Sequence, residues 1–159
     1  MAATVVVRPL TAAEFDRWRD GEVESYAHEL VKASGMSMQA ARQESAVQTA
    51  GLLPHGVETS GMHLLRVIDA SGTPVGILWV GPHPRRPNAG WVYDVVIDEG
   101  RRGEGLGRAA MRAAEDVARA QGWTALGLNV FGGNTRARTL YESLRYTVDF
   151  ASMTKVLDD

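Results

Sequence analysis

The spacing of apolar and polar residues divides this chain into short segments of both secondary-structure types. Apolar or β-branched runs predict strands, and apolar residues three and four positions apart predict helices. The predicted strands are residues 4–7, 63–68, 74–80, 91–97, 124–130 and 152–157. The predicted helices begin at the capping box of Thr11 and Glu14, at Ser37, at about Gly105 and at Asn134. Gly21 is expected to break or kink the first helix, and Gly122 to end the third.

The order of these elements predicts a mixed sheet covered by helices on both faces. Residues 63–80 read as an antiparallel hairpin, because the turn residues Asp69, Ser71 and Gly72 separate its two strands. Only residues 91–130 form a strand–helix–strand unit, whose two strands should be parallel. The prolines between residues 81 and 90 predict a loop.

Composition narrows the function classes. The chain has 159 residues, 45% of them hydrophobic and 23% charged, which suits one domain spanning residues 1–159. A formal net charge of −2 argues against a nucleic-acid partner, and the apolar runs are too short for a membrane span. The chain has no cysteine, which excludes disulfides and a cysteine nucleophile. A cytoplasmic location without a metal is the expectation.

The most informative segment is DEGRRGEGLGR at residues 98–108, between a predicted strand and a long helix. Gly103, Gly105 and Gly107 alternate there, so that backbone N–H groups can approach a ligand closely. The free N–H groups and dipole of a helix N-terminus attract anions, and Arg101, Arg102 and Arg108 add positive charge. A pyrophosphate is the expected guest.

Two other interpretations of this segment stay open at this point. It could be a glycine-rich turn with solvated arginines. Residues 105–110 also fit the dinucleotide fingerprint G-x-G-x-x-G/A. That fingerprint requires a carboxylate about 20 positions later to hold a ribose, and residues 125–130 contain none. The dinucleotide hypothesis is therefore disfavoured.

Two motifs at the appropriate separation resemble those of the GNAT superfamily of N-acetyltransferases. RGEGLG at residues 102–107 matches its (Q/R)-x-x-G-x-(G/A) motif, and YDVVI at 93–97 resembles its splayed strand. LNV at 128–130, followed by NTRA at 134–137 and LYE at 140–142, resembles its second signature. The chain departs from the family at Glu99, where proline is usual, at Gly100, where larger residues are common, and at Arg145, where glycine normally ends the last helix.

The resemblance implies a fold, a reaction and a set of binding residues. The fold would be a mixed, mostly antiparallel sheet of six to seven strands with a splayed central parallel pair, flanked by about four helices. The chain would transfer an acetyl group from acetyl-CoA to a primary amine, and family members are often homodimers. A non-catalytic acyl-CoA-binding regulatory domain is the alternative. The residues expected to hold acetyl-CoA are Val95, Val96, Ile97, Arg102, Gly103, Glu104, Gly105, Leu106, Gly107, Arg108, Asn134 and Tyr141.

The same resemblance assigns Tyr141 as the acid that protonates the leaving thiolate, although it could also be a core aromatic. The acceptor ammonium needs a base, and Asp94 is the one charge in an otherwise apolar strand. Strand alternation places Asp94 with Val92 and Val96, unless a bulge reorients it. A structural carboxylate is the alternative role. His63 and Glu58 are weaker candidates for the base.

The acceptor pocket is expected between the N-terminal helices and the strand at 91–97. Aromatic residues could line it, or could simply form core: Trp18, Tyr26, Trp79, Trp91 and Tyr93. Glu22, Glu24 and Glu29 could attract a cationic acceptor, although a solvated helix face is the simpler explanation for them.

Overall fold

A computed structural model describes residues 1–158, which form five strands and four α-helices. The strands are β1 (Val5–Pro9), β2 (His63–Asp69), β3 (Pro74–Pro82), β4 (Ala89–Ile97) and β5 (Ala125–Leu128). The helices are α1 (Ala12–Ser34), α2 (Met38–Leu52), α3 (Leu106–Ala120) and α4 (Thr135–Ser143). Two single-turn 3₁₀ helices, Gly56–Glu58 and Glu99–Arg101, lie in the connections.

The sheet is mixed and mostly antiparallel, as predicted. Its strands lie in the order β1-β2-β3-β4-β5, and only the β4–β5 pair is parallel. The β2–β3 hairpin closes where the Asp69 carboxylate accepts hydrogen bonds from the backbone N–H groups of Ser71 and Thr73, both at 2.9 Å. Gly72 supplies the left-handed conformation of that turn, with φ +84°.

Helices cover both faces of the sheet, and each face has its own core. On one face, the apolar side of α3 packs against β2, β3 and β4 around Val67, Leu78 and Met111, all fully buried. On the other face, α1 and the segment after α2 pack around Phe15, Trp18 and Trp79. These two clusters confirm the prediction of helices on both sides.

The predicted helix ends are confirmed, but the break at Gly21 is not. Thr11 and Glu14 form a reciprocal capping box, and the Ser37 and Asn134 side chains cap α2 and α4. Helix α1 runs through Gly21 without interruption, because a single helical glycine costs only about 1 kcal/mol and the packing of α1 on the sheet outweighs it. None of the helices within residues 1–158 is long and apolar enough to span a membrane.

The predicted strand at residues 152–157 is wrong, so the described sheet has five strands rather than six or seven. Residues 145–158 form no strand, and Phe150 and Met153 are exposed. Strand-like composition at 152–157 is not enough without a neighbouring strand to pair with. Arg145 adopts φ +70° directly after the end of α4, a conformation that normally favours glycine.

Candidate active site

The parallel strands β4 and β5 separate halfway along β4 and leave a cleft at the centre of the molecule. They pair only from Ala89 with Ala125 to Val92 with Leu128, where β5 ends, whereas β4 continues beside β3 to Ile97. The predicted strand at 124–130 is therefore shorter than expected. The cleft has a volume of about 120 Å³ and is lined by Val92, Tyr93, Asp94, Val95, Leu128, Asn129 and Tyr141.

The free side of β4 offers backbone groups to a ligand in this cleft. The Asp98 N–H donates to the Val75 carbonyl of β3 at 2.9 Å. Because successive residues of a strand direct their backbone groups to opposite sides, Val95 and Ile97 present theirs to the open side and Val96 to β3. The Ile97 carbonyl accepts a hydrogen bond of 3.2 Å from Arg102 Nε. Of the three predicted contacts from this strand, the geometry favours Val95 and Ile97.

The glycine turn ends at the N-terminus of α3 and presents a row of free amides. Gly103 and Gly105 have φ of +84° and +80°, which a larger residue would adopt only with strain. Within residues 1–158, no acceptor takes the backbone N–H groups of residues 103–108; the first amide bonded there is that of Ala109, to the Gly105 carbonyl. A row of free amides at a helix N-terminus suits an anion such as a pyrophosphate.

The arginines around this turn have different roles. Arg101 forms ion pairs with Asp69 at 2.9 Å and with Glu104 at 2.7 Å, so its charge is already balanced. Arg108 is held by Ser143 Oγ at 2.8 Å. An arginine that the sequence analysis did not select, Arg136, lies beside the turn, with its guanidinium 3.9 Å from where a Cβ on Gly103 would be. The positive charge near the free amides therefore comes from Arg102, Arg108 and Arg136.

Helix α4 places Tyr141 against the cleft. The Asn134 carboxamide oxygen caps the helix by accepting from the Ala137 N–H at 3.2 Å, which fixes where its first turn begins. Tyr141 is half-buried between the cleft and the α3-side core, and its ring lies 6.0 Å from that of Tyr146. Burial and, secondarily, the negative charge of Asp94 raise the pKa of the Tyr141 phenol. A protonated phenol therefore faces the cleft at neutral pH.

A β-bulge turns Asp94 to the α1 side of the sheet. Trp79 pairs with Asp94 but its neighbour Val80 pairs with Val92, so Tyr93 is the extra residue. The expectation that Asp94 shares a face with Val92 is therefore wrong, and the reason is the bulge that the sequence analysis named as the exception. The Asp94 carboxylate accepts a hydrogen bond of 2.9 Å from Trp18 Nε1 on α1. Burial is the main cause that raises the Asp94 pKa.

The three glutamates of α1 that could attract a cation lie in different surroundings. Glu24 pairs with Arg42 of α2 at 2.8 Å, and Glu29 pairs with Lys32 at 3.2 Å on the surface. Glu22 is half-buried and follows Trp18, the residue that donates to Asp94, by one helical turn, so it lies on the side of α1 that faces Asp94. Burial first, and then the Asp94 charge, raise the Glu22 pKa well above its ordinary value. The solvated-face explanation thus holds for Glu24 and Glu29 and fails for Glu22.

The weaker candidates for the base do not line the cleft. His63 on β2 packs its ring against Trp123, with ring centroids 6.5 Å apart, and Glu58 is exposed in a 3₁₀ turn. Among the aromatics expected at the acceptor pocket, Trp18 and Trp79 are buried in the α1-side core, and Tyr93 stacks on Trp79 at 4.7 Å and borders the cleft. Trp91 packs apart from them, against His83 at 4.7 Å.

Sequence reasoning missed Asn129 and Arg136 as site residues and undervalued Glu22. Asn129 directly follows β5 and lines the cleft. Its position at the end of a parallel strand, beside the strand that carries Asp94, was the signal available. Arg136 is two residues after the Asn134 cap, and only the approach of α4 to the glycine turn shows its role. Glu22 is one helical turn after Trp18, but its partner Asp94 is far away in sequence.

A sheet that splays at its parallel pair, with a free-amide turn before the crossover helix and a tyrosine facing the cleft, is the arrangement of an acyltransferase. The model of the acetyltransferase (GNAT) family matches residues 15–146. The chain belongs to the GNAT family of acetyltransferases.

Similar proteins agree with this membership. The chain is 32% identical over 155 residues to the uncharacterized N-acetyltransferase YycN of Bacillus subtilis, covering 97% of this chain and 99% of that protein. The crystal structure of YycN has a TM-score of 0.90 and covers 98% of this chain and all of the other. The mycothiol acetyltransferase of Beutenbergia cavernae is 40% identical over 81 residues, which cover 50% of this chain and 26% of that enzyme.

The fold is shared with more distant structures. The structure of AAC(6')-Iy in complex with the bisubstrate analog CoA-S-monomethyl-acetylneamine has a TM-score of 0.61 at 10% identity. It covers 98% of this chain and 99% of the other. At that identity the likeness concerns the fold alone.

Proposed function

We propose that the chain transfers an acetyl group from acetyl-CoA to a primary amine, by direct transfer in a ternary complex. The observation that carries this proposal is that one cleft is lined by both Tyr141 and Asp94, with the glycine turn at the end of the strand that bears Asp94. We further propose that residues 1–159 act as one catalytic domain in the cytoplasm.

The donor would be held by backbone more than by side chains. The free amides of residues 103–108 and the charges of Arg102, Arg108 and Arg136 suit the pyrophosphate. Val95 and Ile97, on the unpaired side of β4, suit the amide groups of the pantetheine arm, which would bind as an added strand. Glu104 contributes its backbone only, since its carboxylate is paired with Arg101. Asn134 keeps its amide N–H donors available while its oxygen caps α4.

The proposed acid and base lie on opposite sides of the sheet: Tyr141 packs with the α3-side core and Asp94 bonds to Trp18 of α1. The amine nitrogen attacks the thioester carbonyl carbon, forming the C–N bond as the C–S bond breaks. Tyr141, on the α3 side, donates its proton to the sulfur as negative charge develops there, and the second proton lost by the attacking nitrogen returns to the phenolate through solvent. Asp94, on the α1 side, takes a proton from the acceptor ammonium and leaves the free amine that reacts.

Donor binding is tested by melting the protein with and without acetyl-CoA. At 100 times the dissociation constant, about 2.7 kcal/mol of added stability is expected. Gly105→Val should remove this shift, because valine at φ +80° strains the turn and blocks approach to the amides. Gly100→Val is the matched control, since Gly100 faces open space at an ordinary φ. An unchanged melting temperature of the wild type would rule out the donor, and equal shifts in both variants would rule out the turn as its site.

The acid is tested by thiol release from acetyl-CoA with a panel of amines, in wild type and Tyr141→Phe. Phenylalanine keeps the ring and removes only the hydroxyl, so kcat should fall by roughly 10²-fold with little change in acetyl-CoA affinity. Tyr146→Phe is the matched control, because its buried hydroxyl has no partner within residues 1–158 and it lies outside the cleft lining. If the single-turnover rate of Tyr141→Phe equals that of Tyr146→Phe, Tyr141 is not the acid.

A further inference from the structure

Trp18 is the side chain that holds Asp94 from the α1 side of the sheet. Its indole Nε1–H donates a hydrogen bond of 2.9 Å to Asp94 Oδ2. The two residues are 76 positions apart in the chain, so only the tertiary fold brings them together. Because the bond engages Oδ2, the second carboxylate oxygen, Oδ1, lies outside it. Asp94 lines the cleft, and this anchor therefore acts on a side chain of the proposed site.

Other aromatic rings fix the position of the indole. Trp18 is 8% exposed, and its ring lies 5.7 Å from that of Phe15 and edge-on to that of Trp79 at 5.3 Å. Trp79 pairs with Asp94 across β3 and β4 and stacks on Tyr93, the extra residue of the bulge. A donor whose own rotamer is locked by packing holds its acceptor in one place. The aromatic cluster thus sets the position of the Asp94 carboxylate.

The same hydrogen bond favours the ionised form of Asp94. Burial raises the pKa of this carboxyl, and the N–H of Trp18 is the largest influence in the opposite direction. The titratable groups that bear on Asp94 are the Glu22 carboxyl of α1 and the Tyr141 phenol of α4, and neither carries a positive charge. The residues that face Asp94 from β3 and from the end of β5, Trp79 and Asn129, are uncharged. No ion pair within residues 1–158 includes Asp94.

We propose that Trp18 is a positioning residue for the transfer reaction, which holds Asp94 in the orientation and the ionised state that a base needs. This role rests on the proposed function, in which Asp94 takes a proton from the acceptor ammonium. Oδ2 stays bonded to the indole while Oδ1 accepts the proton, so that an O–H bond forms as an N–H bond of the ammonium breaks. Trp18 is not among the residues that line the cleft, and it acts through the carboxylate alone.

Two tryptophans of the same core give a matched pair of variants. Trp18→Phe removes the donor to Asp94. Trp79→Phe removes an indole of similar burial, 3% exposed, whose N–H meets the Met62 sulfur at 3.4 Å, a weak acceptor. Both changes remove a similar apolar area, so denaturant unfolding should show similar losses of stability. A difference between the variants in ionisation or in rate then reports the bond to Asp94.

The first test does not depend on turnover. The chain has four tryptophans, so a ¹⁵N-labelled sample shows four indole N–H signals, and the signal missing from Trp18→Phe is that of Trp18. Its chemical shift should move with pH in wild type as Asp94 ionises, and this movement should be lost in Asp94→Asn. The Trp79 signal is the internal control and should stay nearly constant. A Trp18 signal that does not respond to pH, or that moves as far in Asp94→Asn as in wild type, would overturn the proposal.

The second test measures kcat against pH, with acetyl-CoA and butylamine as substrates. Loss of a hydrogen bond to a charged group should move the acidic limb of Trp18→Phe to higher pH by about one unit relative to Trp79→Phe. Above that limb, kcat of Trp18→Phe should stay about tenfold lower, because the carboxylate is no longer held, while the KM for acetyl-CoA is unchanged. Coincident pH profiles for the two variants would overturn the proposal.

Failure of the proposed function and failure of this role give different results. If wild type acetylates no amine in a panel, the proposed function is wrong, and so is the role of Trp18 in it, even where the indole signal follows Asp94. If wild type acetylates butylamine but the indole signal does not follow Asp94, the proposed function stands and only the role of Trp18 is overturned.

Discussion

Glu14 and Glu22 lie eight residues apart on helix α1, and their surroundings are opposite. The Glu14 carboxylate accepts hydrogen bonds from Arg8 at 2.7 Å, from Arg66 at 2.7 Å and from the Thr11 N–H at 3.0 Å, and Glu14 is only 8% exposed. The Glu22 carboxyl faces another carboxyl. The partners of Glu14 are cations and an N–H donor, which stabilise its negative charge, whereas the nearby Asp94 carboxyl disfavours a negative charge on Glu22.

The difference separates a carboxylate whose charge is balanced within the protein from a carboxyl whose ionisation is opposed by its surroundings. Hydrogen bonds from Arg8, the largest cause, together with those from Thr11 and Arg66, hold the pKa of Glu14 far below its ordinary value. Burial, followed by Asp94, moves the pKa of Glu22 in the other direction. A charge already neutralised within the protein stabilises it, whereas a carboxyl that is half-buried near another carboxyl costs stability when it ionises.

The largest effect that sharpens this comparison is expected for Glu14→Gln. The change leaves Arg66, whose side chain is 16% exposed, without its charge partner. Removing one member of a buried pair exposes the full cost of the other, so the free energy of unfolding should fall by about 2–4 kcal/mol. Denaturant unfolding measures this, and acetyl transfer per folded molecule should stay at the wild-type level. A loss below about 0.5 kcal/mol would mean that the Arg8–Glu14–Arg66 cluster does not stabilise the fold.

The two glutamates should also give stability opposite dependences on pH. Because the folded-state pKa of Glu14 is lowered, its stabilisation is present above the ordinary value of 4.5 and is lost as the pH falls below it. Because the folded-state pKa of Glu22 is raised, the folded state binds more protons there, and stability is lost as the pH rises above 4.5.

Melting curves from pH 3 to pH 9 are therefore expected to separate the variants. Glu22→Gln should be more stable than wild type at pH 8 by about 1 kcal/mol, the equivalent of nearly one pKa unit, with the gap closing toward pH 5. Glu14→Gln should lack the steep acid loss that wild type shows. Parallel curves for wild type and Glu22→Gln would contradict the raised pKa of Glu22.

The smallest effect is expected for Glu24→Gln, a third glutamate on the same helix. Its ion pair with Arg42 is exposed, with side chains 45% and 55% accessible, and such pairs contribute between zero and about 1 kcal/mol. Stability should change by less than about 0.5 kcal/mol at any pH above 5. A larger loss would show that this ion pair is a main contact between α1 and α2.

Local sequence determined the parts of this protein that depend on near neighbours in the chain. The Thr11 capping box, the Asn134 cap, the β2–β3 turn and the glycine turn before α3 involve groups within a few residues of each other. Local bond geometry and backbone conformation set their structure, so residue types at fixed spacing were sufficient. The same reasoning predicted the glycine turn and the strand edge at which we propose that the donor binds, both of which offer mainly backbone groups.

Tertiary structure alone decided the surroundings of Asp94, which lies on the proposed acceptor side. The bulge at Tyr93 arises where β4 pairs with β3, and it reverses the face of the sheet that simple alternation assigns to Asp94. Glu22 meets Asp94, and Arg136 meets Gly103, across the fold. The charge state of a carboxyl depends on the groups that other segments bring within a few ångströms of it. Likewise, the strand-like residues 152–157 could form a strand only beside a free edge of the sheet. Such long-range neighbours are not written in any local pattern, because many sequence-distant arrangements bury the same apolar faces equally well.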